Sequence, residues 1–232
     1  MPDRHVRTGL ERENMNKIIK WISITIGSVI LVGLLFIFQP WVFLPHKHIE
    51  IGLPFSPEVD SFTDLIPMGE LIYHNASNGS PNGHPGIDFG WEKEIDILAV
   101  ADGRVINIRK NSDGQIIVEQ SMGLFYRTVY QELNTIDPNL HFLSKVKKGQ
   151  VLGQTGRPHV EGRPPQKGDL SRQIHLDFVS SSQFINRLCP EGYLDAQSKQ
   201  RIEAIWDRVP SDNQFKKDYP DICSGFYKGR ED

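Results

Sequence analysis

The stretch "NGHPGIDFGWEKEIDILAVADGRVINI", Asn82 to Ile108, puts His84 and Asp88 four residues apart in a glycine- and proline-bracketed loop, then runs into alternating strand-forming residues. Pro85 and Gly86, between the two polar residues, favour a bend. Imidazole and carboxylate are both ligands for zinc. Both are also ordinary turn residues, so the pair alone is open to a metal site or a polar turn.

Outward from this stretch the pattern stays β. "IDILAV" (95–100), "RVINIR" (104–109), "QIIVEQ" (115–120), "LFYRTVY" (124–130) and "QIHLDFV" (173–179) are short, rich in Val, Ile and Tyr, and separated by turn residues. Asp102-Gly103 and Asp113-Gly114 mark hairpins, with glycine expected to supply a positive φ. The expected fold is mainly β: a compact antiparallel β-sandwich or barrel with an N-terminal transmembrane helix and a small, partly helical C-terminal extension. In "QIHLDFV" the period of two puts Gln173, His175 and Asp177 on one face and Ile174, Leu176 and Phe178 on the other. The apolar set is expected in the core and the polar set at a cleft, where His175 could complete a His/Asp/His site with one position open for water. A histidine satisfied on a half-exposed strand is the alternative.

The rest of the composition limits the function classes. With 232 residues and a net charge of −3, the chain has no basic excess for phosphates, so no nucleic-acid partner is expected. Trp21–Phe38, "WISITIGSVILVGLLFIF", is free of charge, and the uncharged run continues to Pro45. That is enough for a membrane-spanning helix. It is longer than the apolar core of a cleaved signal and lacks a small-residue cleavage site, which favours an anchor. Arg4, Arg7, Arg12, Lys17 and Lys20 precede it, so the tail is expected inside and everything from about His46 outside the cytoplasmic membrane. Cys189 and Cys223 then lie in an oxidising compartment, where a disulfide between them is expected. "DAQSKQRIEAIWDRV" (195–209) places Ile202, Ile205, Trp206 and Val209 on one helical face. The expected organisation is a cytoplasmic tail (1–17), an anchor (18–44), a linker (45–61), a β core (62–180) and a C-terminal extension with the disulfide (181–232).

"HPGIDFG", "ILAVADGRVINI", "YRTVYQEL", "VKKGQVLGQTG" and "IHLDF" occur in an order and spacing that resemble the core of the lysostaphin-type (LytM-like) zinc metallopeptidases, which cut peptide cross-links of bacterial cell wall. The resemblance implies Zn2+ as cofactor, His84, Asp88 and His175 as its ligands, and hydrolysis by an activated water. It also implies two assisting histidines, and this chain departs at both places. Glu132 in "YQEL" and Gln173 in "QIHLD" stand there instead, the first a candidate general base and the second a candidate donor to a developing oxyanion. His159, in the loop 156–169, is a further imidazole. An alternative alignment makes Asp177 the third ligand.

The resemblance further implies peptidoglycan peptides as the substrate class, while the apolar span and its basic flank imply an inner-membrane attachment through one helix and a periplasmic or otherwise extracytoplasmic domain. A partner from the cell-wall or division machinery is compatible with the C-terminal extension. Two other functions compete. "ADGRVINI" with "VKKGQVLG" resembles the lipoyl-like hairpin of membrane-anchored efflux adaptors, although only strand-like residues separate the motifs here. The replaced helpers fit a zinc-binding but inactive relative that binds peptidoglycan or regulates another wall hydrolase.

Overall fold

The computed structural model describes residues 4–38, 48–69, 83–112, 114–156, 172–180, 187–218 and 221–224. The chain divides into two compact units, residues 1–45 and 46–232. The first holds α1 (Arg4–Phe38), in which the 21 residues Met15–Leu35 are long and apolar enough to cross a membrane. A signal sequence near an N-terminus has the same character.

The second unit is mainly β. Its strands are β1 (Phe62–Ile66), β2 (Met68–Gly69), β3 (Ile87–Trp91), β4 (Asp96–Leu98), β5 (Gly103–Lys110), β6 (Ile116–Met122), β7 (Tyr126–Ile136), β8 (Lys145–Val146), β9 (Val151–Thr155), β10 (Arg172–Ser180) and β11 (Cys223–Ser224). A 3-10 turn at Pro190–Tyr193, α2 (Ala196–Arg208) and α3 (Gln214–Asp218) complete it. One sheet runs β1-β3-β10-β7-β6-β5-β8, with antiparallel neighbours throughout. The long strand β7 also pairs with β9, which pairs with β4, so the sheet forks there. Among the described residues it is not closed into a barrel.

Alternation places the core as expected. Ile174, Leu176 and Phe178 of β10 are almost fully buried and join Val118, Tyr130, Ile97 and Leu152, from both branches of the fork, in one cluster. Two features differ from the sequence reading. Residues 45–61 are in part core rather than linker, because Ile51 and Phe55 are buried. Phe55 packs edge-on against Phe62, Phe89 and Trp91, with ring centroids 5.1–5.4 Å apart; two prolines had disguised this anchoring as a tether. Gly103 takes no positive φ. It is small because the Ser121 carbonyl crosses where a Cβ would stand. Gly114, with φ 81°, does serve as the hairpin glycine, while its neighbour Asp113 lies outside the described residues.

The C-terminal extension is integral to the fold. Ile202, Ile205 and Trp206 of α2 are buried in the main core, and Asp195 caps the helix by accepting from the Ser198 amide at 2.7 Å. Cys189 and Cys223 are disulfide-bonded. β11 pairs in parallel with β2, setting Cys223 opposite Met68 and Ser224 opposite Gly69.

Candidate metal centre

Two neighbouring strands and one backbone bridge bring His84, Asp88 and His175 together. Asp88 on β3 stands directly opposite His175 on β10, because the strands are antiparallel in that register. His84 precedes β3 and is fixed by an isolated bridge to Gly69. Gly86 allows the approach: a Cβ there would collide with the Leu176 carbonyl and come within 2.9 Å of His175 Nε2.

Three donor atoms converge. His84 Nε2 lies 3.1 Å from His175 Nδ1 and 3.2 Å from Asp88 Oδ1, and His175 Nδ1 lies 2.6 Å from Asp88 Oδ1. All three residues are buried. Each ring also has an acceptor on its outer nitrogen, to which it can give its proton when a cation fills the triangle. His84 Nδ1 is 2.8 Å from the Pro67 carbonyl, which only accepts, so that nitrogen is the donor. His175 Nε2 is 3.2 Å from Asp177 Oδ1, again an acceptor. With both ring protons on these outer nitrogens, the lone pairs of His84 Nε2 and His175 Nδ1 face each other and a carboxylate oxygen.

Such a triangle is repulsive unless a cation or a proton sits within it. Burial alone would push the His175 pKa down, but the carboxylates of Asp177 and Asp88 outweigh it and raise it well above 6.5. Burial likewise opposes ionisation of Asp88, yet His84 and His175 hold its carboxyl well below the ordinary range. The donor set suits zinc, with two imidazole nitrogens and one carboxylate oxygen. Ligands at about 2.0–2.1 Å around a tetrahedral ion stand roughly 3.3 Å apart, close to two of the three separations found.

The other sequence-predicted residues fall nearby. Asp177 is 1% exposed and touches His175 on the ring nitrogen turned away from the triangle, so its carboxylate stands outside the three-atom cluster. Burial would raise its pKa, but His175, Arg187 and Gln131 hold it down. Glu132 lies in a bulge of β7, where the pairing with β6 shifts between Tyr130 and Leu133, and its φ is 71°. Bulges re-aim side chains next to sites, and the left-handed conformation costs a residue with a Cβ about 1 kcal/mol or more. Gly156 connects Glu132 to Gln173: its carbonyl accepts from the Gln173 amide at 3.3 Å, and its α-carbon abuts the Glu132 carbonyl so closely that no Cβ fits. His159 lies outside the described residues.

Two contributors were not foreseen in the sequence. Gln131, opposite His175 in register, donates to Asp177 Oδ2 at 2.9 Å, and Arg187 Nη1 approaches the same oxygen at 2.9 Å. A buried aspartate on a strand calls for a cation, and Arg187 is the first basic residue after Asp177, which is the one signal that pointed to it.

Comparison with known proteins adds a family match over part of the chain. No curated protein sequence matches the chain. Among solved structures it is similar to a zinc containing peptidase from Vibrio cholerae, at 19% identity over 58% of this chain and 38% of the other, with a TM-score of 0.45. It is similar to the catalytic domain of the antimicrobial peptidase lysostaphin from Staphylococcus simulans, at 19% identity over 51% of this chain and 81% of the other, TM-score 0.39. A structure of the SpoIIQ-SpoIIIAH pore forming complex matches at 20% identity over 68% of this chain and 98% of the other, TM-score 0.48. The chain thus spans well under half of the Vibrio cholerae peptidase, and these likenesses are too distant to carry an argument about function. Residues 82–182, which contain His84, Asp88, Glu132, Gln173 and His175, match Peptidase family M23.

Proposed function

We propose that the protein is a membrane-anchored zinc endopeptidase acting on the peptide cross-links of cell-wall peptidoglycan. The observation that carries this is the convergence of His84 Nε2, Asp88 Oδ1 and His175 Nδ1, with the outer ring nitrogens of both histidines already committed to acceptors. A zinc ion held there supplies Lewis acidity and an activated water. The chain's own residues do the rest. Glu132 is the carboxylate that takes the proton from the attacking water, and Gln173, which cannot titrate, donates an N–H to the carbonyl oxygen as charge develops. The bulge at Glu132 and the contact of both residues with Gly156 support their acting at one place. The basic residues before Met15–Leu35 support an N-terminus inside and a domain on the extracytoplasmic, periplasmic side.

A second reading is a zinc-binding but catalytically silent module that binds peptidoglycan or regulates another wall hydrolase. Glu132 and Gln173, standing where the resemblance implies helper histidines, favour it. One experiment separates the two: the purified full chain is assayed for bound zinc and for release of peptides from peptidoglycan, beside His84→Ala and Glu132→Gln. Near-stoichiometric zinc with cleavage abolished in both variants supports the enzyme. Zinc without cleavage supports the silent module, and zinc content unaffected by His84→Ala removes the metal centre from either reading.

A further inference from the structure

Asp177 is a buried carboxylate whose two oxygens are both engaged. Oδ1 faces His175 Nε2 at 3.2 Å, while Oδ2 takes Gln131 Nε2 and Arg187 Nη1, each at 2.9 Å. The two nitrogens of an imidazole point in widely different directions, so a carboxylate on Nε2 does not share an ion with Nδ1. We infer that Asp177, clamped by Arg187 and Gln131, is a positioning residue that fixes the ring and proton of His175 so that Nδ1 is offered to a metal ion with His84 and Asp88. The inference rests on the metal-centre reading above.

The geometry supports this from three sides. An imidazole free to flip or to change tautomer presents N–H as readily as a lone pair, and N–H repels a cation. Asp88 Oδ1, at 2.6 Å from Nδ1, would also accept the ring proton, but a cation shared with Asp88 excludes it there; Asp177, which accepts only, then holds the proton on Nε2 and leaves the lone pair on Nδ1. Asp177 is itself held against rotation, because turning its carboxylate would break the contacts at Oδ2. Gln131 is placed by register directly opposite His175 on β7. Arg187 is placed by an isolated bridge to Val179, two residues beyond Asp177, and by the Leu188 amide donating to the Phe178 carbonyl at 2.8 Å. The chain therefore doubles back after β10 and returns a guanidinium to the ligand strand. That positive charge offsets the second buried carboxylate, which would otherwise stand uncompensated beside Asp88.

The clamp is tested on the full chain in detergent by zinc affinity, from competition with a coloured chelator, and by the visible spectrum of the cobalt-substituted protein. Asp177→Asn is expected to weaken zinc binding about 10–100-fold and to alter the cobalt bands, since outer partners of ligating histidines carry effects of that size. Arg187→Ala is expected to lose about tenfold, with most of it recovered in Arg187→Lys. Arg187 is partly exposed, so its variants report even where Asp177→Asn fails to fold; circular dichroism of the metal-free proteins identifies that case. Folded Arg187→Ala that binds zinc with the unaltered affinity and spectrum overturns the clamp while leaving the metal centre standing. An unaltered chain that binds no zinc overturns the metal centre, and the clamp with it.

Discussion

Met68 donates its amide to the carbonyl of Ile222 at 3.0 Å, joining the C-terminal tail to the short strand that steadies the first candidate ligand. Beside it, Gly69 exchanges hydrogen bonds with His84 at 2.8 and 3.1 Å, and the Pro67 carbonyl accepts from His84 Nδ1. The tail is itself tied down by Cys189–Cys223, across 34 residues of sequence. Replacing both cysteines by serine is therefore expected to do two things. Chain entropy predicts a loss of about 3–4 kcal/mol in stability. Loosening of 67–69 predicts weaker zinc binding, in the same direction as His84→Ala but smaller. Thermal melts and chelator competition measure the two effects, and unchanged zinc affinity in the folded double variant would dissociate the tail from the site.

Gly86→Ala is expected to damage the centre more than a surface glycine substitution would. Its Cβ would run into the Leu176 carbonyl and the His175 imidazole, so either β3 moves away from β10 or the His175 ring leaves its place. A substitution at Gly192, where a Cβ meets nothing within 4 Å, is the control. Zinc affinity is expected to fall at least tenfold in Gly86→Ala, about 1.4 kcal/mol, and to stay unchanged in Gly192→Ala.

Tyr130→Phe tests the polar network inside the core. The Tyr130 hydroxyl donates to Gln120 Oε1 at 2.7 Å and accepts from the Val100 amide at 2.8 Å, while Gln120 Nε2 donates to the Ala101 carbonyl at 2.6 Å. Burial raises the phenol's pKa, so it keeps its proton through the physiological range. Removing the hydroxyl leaves a buried amide and a buried side-chain carbonyl without partners, at a cost of about 1–3 kcal/mol. Chemical denaturation of the variant should show the midpoint shifted by that amount with an unchanged slope; an unchanged midpoint would mean that water replaces the hydroxyl.

Local pattern explains most of what was legible in the chain. Alternation in "QIHLDFV" placed His175 and Asp177 on one face, and the turn residues separated strands that the structure contains as β5, β6 and β7. What stayed hidden depends on pairing between distant segments. The facing of Asp88 and His175 is a register, and the fork of β7 toward β9 follows from a bulge at Glu132 that no turn residue announces. Arg187 reaches the site only because the chain reverses after β10. The burial of Ile51 and Phe55 was masked by the prolines around them, since proline breaks periodicity without keeping a neighbouring side chain out of a core.

Asp195 supplies a pH-dependent hold on the C-terminal helix. Its carboxylate accepts from the Ser198 amide at 2.7 Å and pairs with Lys148, while its own amide donates to the Ile51 carbonyl at 2.9 Å, so it ties α2 to the core. Burial alone would raise its pKa, but Lys148 and the Ser198 amide outweigh that and hold it below 3.8. A folded-state pKa below the unfolded one means stability that is present above pH 3.8 and lost as pH falls through the lower, folded value. Asp195→Ala is therefore expected to lower stability at pH 6 by about 1 kcal/mol, the usual value of a helix cap. The gap in melting temperature between it and the unaltered chain should narrow as the pH is taken below 3.8, because the unaltered carboxyl then gains the proton that weakens its pairing. A gap that stays constant down to full protonation would assign the contribution to packing rather than to charge.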